Sequence, residues 1–138
     1  MKKILTLICC TVLIAATSCT KKYITPANVT AFYDVQGTTG WKVTTDDDGN
    51  LSYSSTLGNL PEQDGYAQAN GGVLVYISYD GGTTYEALPE TYNGIAYSYT
   101  YSVGKVILYA QNSDGSQLSA APTLNIKVKV VLVDSTPA

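Results

Sequence analysis

Short runs of strand-forming residues, each bounded by turn residues, recur along most of this chain. Residues 96–102 read Ala-Tyr-Ser-Tyr-Thr-Tyr-Ser and alternate strictly between aromatic and small side chains. Such alternation sends successive side chains to opposite faces, which is the period of a β-strand. No segment shows helical periodicity over a window of about 11 residues. The pattern predicts an all-β protein.

Turn residues divide the chain into the predicted strands. Gly, Asn and Asp occupy the intervals, while residues 57–71 and 89–94 read as irregular stretches. The predicted strands are residues 29–35, 41–45, 51–56, 73–79, 83–88, 96–102, 105–110 and 124–133. In the last strand, Lys127 and Lys129 oppose an apolar face, which indicates a solvated face or a guarded edge. Seven to eight short strands predict a single antiparallel β-sandwich over residues 29–138, immunoglobulin-like in general architecture.

The composition argues against catalysis and against nucleic-acid binding. The chain contains 12 Tyr, no His and no Arg. It therefore lacks the commonest general base and metal ligand, and it lacks the bidentate clamp for carboxylate and phosphate groups. Its 11 acidic residues outnumber 8 basic ones, whereas nucleic-acid binding depends on cations. We expect a non-catalytic protein with no cofactor, no metal site and no nucleic-acid partner.

The first residues have the layout of a secretory signal peptide. Lys2 and Lys3 precede an uncharged, mostly apolar run over residues 4–16. That run is shorter than the roughly 20 residues that a membrane-spanning helix needs. We therefore expect the segment to be removed.

The small residues that follow, ending at Ser18-Cys19, resemble the lipobox of bacterial lipoproteins, although Ala16 stands where a larger aliphatic residue is usual. The resemblance implies removal of residues 1–18 and acylation of Cys19, with residues 19–28 as a tether. Ordinary signal-peptide cleavage that leaves Cys19 as a free thiol is the alternative. Two or more acyl chains give stable attachment, so the membrane is the first expected partner. Thr20, in place of the inner-membrane retention Asp, implies the outer membrane, with the leaflet left open.

Residues 72–133 resemble a β module of uncharacterised lipoproteins and collagen-like surface proteins of Bacteroidota. The shared features are a glycine before a Val-Leu-Val-Tyr strand, an Ala-Leu-Pro return, a Tyr-Ser-Tyr strand, a Val-Gly turn and a closing Lys-Val strand. This resemblance implies a β fold and an envelope location, and it implies no known activity.

Three tyrosines on one face of a predicted strand form the main candidate binding site. Tyr97, Tyr99 and Tyr101 are spaced about 7 Å apart along that strand. A row of exposed rings would stack on sugar rings, whereas buried rings would pack across strands with their hydroxyls at the rim. We favour packing, because the opposite face carries only Ser98, Thr100 and Ser102.

Two further motifs resemble known functional patterns. Asp46, Asp47, Asp48 and Asn50 resemble a calcium loop, but the glycine is misplaced and the final Glu is missing, so a turn is favoured. Asp134-Ser135-Thr136 resembles the short acceptor pattern for O-glycosylation in Bacteroidota.

These patterns predict a lipid-anchored, non-catalytic β-sandwich with a binding or scaffolding role at the cell envelope. The first alternative is a glycan-binding module that uses exposed tyrosines. The second is an envelope-anchored inhibitor or a fimbria-associated subunit. The expected partners beyond the membrane are therefore an envelope protein or a glycan.

Overall fold

A computed structural model shows two antiparallel sheets packed together, and it describes residues 28–45, 49 and 51–135. The four-stranded sheet has the order β1 (Val29–Val35), β9 (Ile126–Val133), β4 (Gly72–Ser78) and β5 (Glu86–Ala87). The five-stranded sheet has the order β2 (Lys42–Thr45), β3 (Leu51–Leu60), β8 (Gly104–Asn112), β7 (Ile95–Ser102) and β6 (Glu90–Tyr92). A 3-10 helix (Thr38–Gly40) and one α-helix, α1 (Gly65–Asn70), complete the described part. The predicted antiparallel β-sandwich is confirmed.

The core lies between the two sheets and is filled by alternate residues of the strands. Full burial of an aliphatic side chain contributes roughly 1.5–3 kcal/mol, so this layer is the main source of stability. Its largest completely buried side chains come from both sheets: Tyr97, Leu60, Ile77, Leu108, Val75, Val106, Val128 and Val130.

Strand β9 shows how the sequence pattern produces this arrangement. Its burial alternates, with Ile126, Val128, Val130 and Leu132 inside and Lys127 and Lys129 on the outer face. Because β9 lies between β1 and β4, the two lysines mark a solvated face and not a sheet edge. Val131 and Val133 are half-buried on that same outer face.

The structure has nine strands in its described residues, and the strand that sequence analysis missed is β6. It pairs with β7 through Tyr92 and Ile95, which flank the two-residue turn Asn93-Gly94. Both turn residues have positive φ, 49° and 80°, as a type I′ hairpin turn requires. The Asn-Gly pair is the usual signature of this hairpin, and it falls inside the predicted loop.

The stretch over residues 57–71 is more ordered than its composition indicates. Strand β3 continues to Leu60 through a register shift, and Asn59 adopts a φ of 61° there. Helix α1 then begins after Asp64, whose carboxylate accepts hydrogen bonds from the backbone N–H groups of Tyr66 and Ala67, each at 2.9 Å. Six residues are too short for helical periodicity to show, so only the capping aspartate marks this helix in the sequence.

The return from β4 is shorter than predicted. The Asp80 carboxylate accepts hydrogen bonds from the backbone N–H groups of Thr83 at 3.0 Å and Thr84 at 2.9 Å. Those donors are therefore unavailable to a neighbouring strand. The return strand consists only of Glu86–Ala87.

Candidate functional site

The predicted tyrosine row faces the core. Tyr97 has 2% of its surface exposed, and burial raises its pKa to about 12. Tyr99 and Tyr101 are half-buried and pack against the core, and the Tyr99 hydroxyl donates a 2.7 Å hydrogen bond to the Val73 carbonyl of the other sheet. This is the arrangement that the packing interpretation predicts. Ligand binding by the row stays a prediction, and only Tyr99 and Tyr101 of the three retain appreciable surface.

A second aromatic group lies at the end of the sandwich near the β4–β5 loop. The rings of Tyr79 and Tyr92 stack with centroids 3.9 Å apart, and the Tyr79 hydroxyl donates a 2.7 Å hydrogen bond to Glu90. Burial first, and then this hydrogen bond, raises the pKa of Tyr79 far above its ordinary value. Burial and the neighbouring Glu86 raise the pKa of Glu90. Tyr79 therefore stays protonated at neutral pH and acts as a hydrogen-bond donor.

The most exposed aromatic surface lies elsewhere, on the outer face of the four-stranded sheet. Phe32 of β1 pairs with Lys129 of β9, which pairs with Tyr76 of β4. Directly opposed residues share a face, so these three side chains form one row across the sheet. Tyr85 and Leu74 extend this row to give a surface that we name the outer aromatic face: Phe32, Leu74, Tyr76, Tyr85 and Lys129.

Two large apolar side chains of this face are largely exposed to solvent. Phe32 is 64% exposed and Leu74 is 47% exposed. The Phe32 and Tyr85 rings lie 6.4 Å apart, centroid to centroid, at a tilt of 57°. The result is a group of partly exposed rings on a four-stranded sheet.

The charge at the centre of this face is held by aromatic rings. The Lys129 ammonium lies 4.5 Å from the ring centroids of both Tyr76 and Tyr85, within the range of a cation–π interaction. In the part of the chain that the structure describes, the ion pair present joins Lys127 to Asp34 at 2.8 Å, and Lys129 takes no part in it. Lys129 therefore offers a positive charge that a carboxylate has not neutralised.

The loop after β4 positions Tyr85 over the sheet. Asp80 anchors this loop, and the hydrogen bonds from Thr84 and Ser78 lower the pKa of its carboxyl well below the ordinary value. Gly82 adopts a φ of +101°, and a Cβ added there would lie 3.2 Å from both the Tyr85 hydroxyl and the Lys127 side chain. A glycine at this position lets the loop pass close beneath Tyr85.

Sequence analysis did not identify this surface, because its members come from distant parts of the chain. The alternation in residues 29–35 and 73–79 places Phe32, Leu74 and Tyr76 opposite the core side chains of their own strands. The pairing of β1 and β4 with β9 brings them together, and no local sequence signal indicates that pairing.

Several other predicted features lie outside the described residues. They are the signal segment over residues 1–18, Cys19, most of the tether, the aspartates 46–48 and Asn50. Of the glycosylation motif, Asp134 and Ser135 are described, and the Ser135 hydroxyl donates a hydrogen bond to the Asn70 carbonyl. Among the described residues, no group of three or more His, Cys, Asp or Glu side chains is placed to hold a metal ion.

Two of the cavities among the described residues are small and open to solvent. One of about 230 Å³ is lined by Val29, Gln63, Tyr66 and Leu132 among others, at the end where β1 begins. Another of about 210 Å³ is lined by Tyr79, Asp80, Thr84, Glu86 and Tyr92. Neither offers the enclosed, mostly apolar cleft of roughly 300–1,000 Å³ that is typical of small-molecule sites.

The chain matches no protein-family model, no curated protein and no solved structure. In the described part of the chain, no helix combines the length and the apolarity needed to cross a membrane.

Proposed function

We propose that the chain is a lipid-anchored, non-catalytic protein of the cell envelope that binds or scaffolds an envelope component through the outer aromatic face. The resemblance of Ser18-Cys19 to a lipobox supports the anchor and, with Thr20, an outer-membrane location. The observation that carries the binding role is the exposure of Phe32 beside Tyr85 and Lys129, a lysine that forms no ion pair with the carboxylates of the described residues.

Exposed aromatic side chains on a sheet leave apolar surface in water, which is unfavourable in free energy unless a partner covers that surface. Aromatic rings contribute large contact area at low cost in conformational entropy, and they are enriched at binding hot spots. Lys129 also contacts the rings of Tyr76 and Tyr85 and restricts them before any ligand binds. Binding therefore costs these two side chains little conformational entropy. A partly apolar face of this kind supports a binding role more than a purely structural one.

A glycan is a second candidate for the ligand, and the surface chemistry favours it in one respect. Flat rings with a nearby hydrogen-bond donor can stack on the apolar face of a sugar while the donor contacts a hydroxyl or carboxylate group. Here Tyr85 and Phe32 offer the rings and Lys129 offers the donor. A glycan-binding role is therefore proposed for the outer aromatic face, while for the Tyr97, Tyr99 and Tyr101 row it stays a prediction.

The binding role can be tested with variants that alter the face and preserve the fold. Phe32→Thr combined with Lys129→Gln removes the exposed ring and the charge while keeping strand-compatible residues. Val43→Thr is the matched control, because Val43 is 55% exposed on β2 in the other sheet.

The measurement is retention of the purified full chain carrying Cys19→Ala, so that no acyl chain at this position holds it, on isolated envelope fragments of its source bacterium, with purified envelope polysaccharide as a second probe. We expect the double variant to lose at least tenfold in retention and the control to match the wild type. Equal retention of all three proteins, at equal urea midpoints, would reject the outer aromatic face as the binding surface.

A further inference from the structure

The four edges of the two sheets differ in length. The edge strands β5, β6 and β2 contain two, three and four residues. Short edges offer few backbone groups to another chain, which is one way in which proteins prevent unwanted strand pairing. Edge strand β1 contains seven residues and pairs with β9 without any register shift. Among the described residues, β1 is therefore the long regular edge of the molecule.

The side chains of β1 do little to protect that edge. The strand contains neither proline nor lysine, and its single charge, Asp34, is paired with Lys127 at 2.8 Å. Its inward-facing residues pack against the core, and its central outward-facing residue, Phe32, is 64% exposed. An edge with these properties is a template for a further strand.

We propose that β1 pairs antiparallel with β1 of a second copy of this chain, about a twofold axis at Phe32. In this register Phe32 opposes its own counterpart, and Thr30 opposes Asp34 of the other copy. The pairing joins two four-stranded sheets into one continuous sheet, and it makes the two outer aromatic faces contiguous. The inference goes beyond the proposed function and does not depend on what that face binds.

Three features favour a second copy over an unrelated strand. The strand is self-complementary in this register, since all seven residues are paired and no like charges oppose each other. On the outer face Phe32 opposes Phe32 and Thr30 opposes Asp34, while on the inner face apolar residues and Tyr33 oppose one another, and such cross-strand pairs stabilise sheets. A shift of one residue would place apolar side chains on the solvent face.

The proposed lipid anchor adds a geometric argument. In an antiparallel pair, the two β1 N-termini lie roughly 20 Å apart, at about 3.4 Å per residue. The tether over residues 19–28 spans at most about 33 Å when extended. Both anchors can therefore reach the same membrane, and confinement to that membrane raises the effective concentration of one copy around another.

Disulfide crosslinking in membranes tests the axis. The full chain carrying Phe32→Cys is oxidised mildly and separated without reductant. We expect a dimer, because side chains that oppose each other across a strand pair lie close enough for a disulfide. Leu74→Cys is the control, since Leu74 is 47% exposed on the same outer face but lies on β4. The wild type gives the background from the native thiols.

The register has its own test. Thr30→Cys and Asp34→Cys should each remain monomeric alone and should form a dimer when the two chains are produced together. The proposal is overturned if folded Phe32→Cys stays monomeric, if it crosslinks to a different protein, or if Leu74→Cys crosslinks equally. Retention on envelope fragments is read separately, so failure of the dimer and failure of the proposed function are distinguishable.

Discussion

At the scale of single residues, tyrosine hydroxyls connect the two sheets. Tyr99 of β7 donates to the Val73 carbonyl at 2.7 Å, and Tyr33 of β1 donates to the Gly58 carbonyl at 3.0 Å. Each ring lies against the core, and each hydroxyl finds an acceptor on the opposite sheet. Burial raises the pKa of both hydroxyls, so they remain donors across the physiological range. These tyrosines thus contribute both apolar surface packed against the core and hydrogen bonds between the two sheets.

Substitutions at Tyr99 separate these two contributions. Tyr99→Phe should lower the free energy of unfolding by about 1 kcal/mol, because it removes the hydrogen bond to Val73 and keeps the ring. Tyr99→Ala should cost about 3 kcal/mol, as aromatic-to-alanine changes in cores do. Urea unfolding gives both values. Tyr109→Phe is the control, since its hydroxyl lies on the outer face and makes only a 3.4 Å contact with Thr100. A Tyr99→Ala midpoint equal to that of the wild type would show that the row is not part of the core.

The raised pKa of Glu90 predicts a specific pH dependence of the stability of the fold. Its pKa is raised above the ordinary value of 4.5, with burial as the main cause and Glu86 adding to it, while Tyr79 donates to its carboxylate. The folded protein therefore holds this proton more tightly than the unfolded chain does. The resulting stability is fully present below about pH 4.5 and is lost as the pH rises through the folded pKa.

Glu90→Gln removes the titrating carboxyl group and keeps an oxygen that can accept a hydrogen bond from the Tyr79 hydroxyl. We expect the variant to be at least as stable as the wild type at pH 7 and to have a flatter profile of melting temperature from pH 4 to pH 7. A wild-type melting temperature that instead rises through this interval because of Glu90 would contradict the assignment.

At the scale of elements, the length of each element decides how well the sequence predicts it. The strands β1, β4, β7, β8 and β9 lie within one or two residues of their predicted bounds, because seven or more residues display the two-residue period. Strand β6 and helix α1 are too short to display any period. They are specified instead by single residues at their ends, the Asn93-Gly94 turn and the Asp64 cap.

A substitution in the β6–β7 turn tests whether single residues at the ends specify a short element. Gly94 has a φ of +80° and no atom near its added Cβ, so Gly94→Ala introduces backbone strain without a clash. We expect a loss of about 1 kcal/mol in the free energy of unfolding. Gly72→Ala is the matched control: its Cβ also meets open space, it needs no positive φ, and it should be neutral or slightly stabilising. Equal effects of the two substitutions would show that turn conformation does not contribute to stability here.

At the scale of the whole molecule, the two ends of the described chain lie together. The Asp134 backbone N–H donates to the Asn28 side chain at 3.3 Å, beside the start of β1. The sandwich, its inner and outer faces and the strand β9 follow from the alternation in the sequence. The outer aromatic face and the position of β1 at the edge of its sheet do not, because both depend on which strands are neighbours. Neighbour order is decided by packing between segments about 100 residues apart, as between Phe32 and Lys129.

We propose that this β-sandwich works at the cell envelope on a lipid anchor at Cys19. The most direct measurement is metabolic labelling with a clickable fatty acid, followed by membrane fractionation of cells that produce the wild type or Cys19→Ala. We expect the wild type to be labelled and to sediment with membranes, and Cys19→Ala to lose the label and move to the soluble fraction. Label that persists in Cys19→Ala, or an unlabelled wild type in the soluble fraction, would contradict the account.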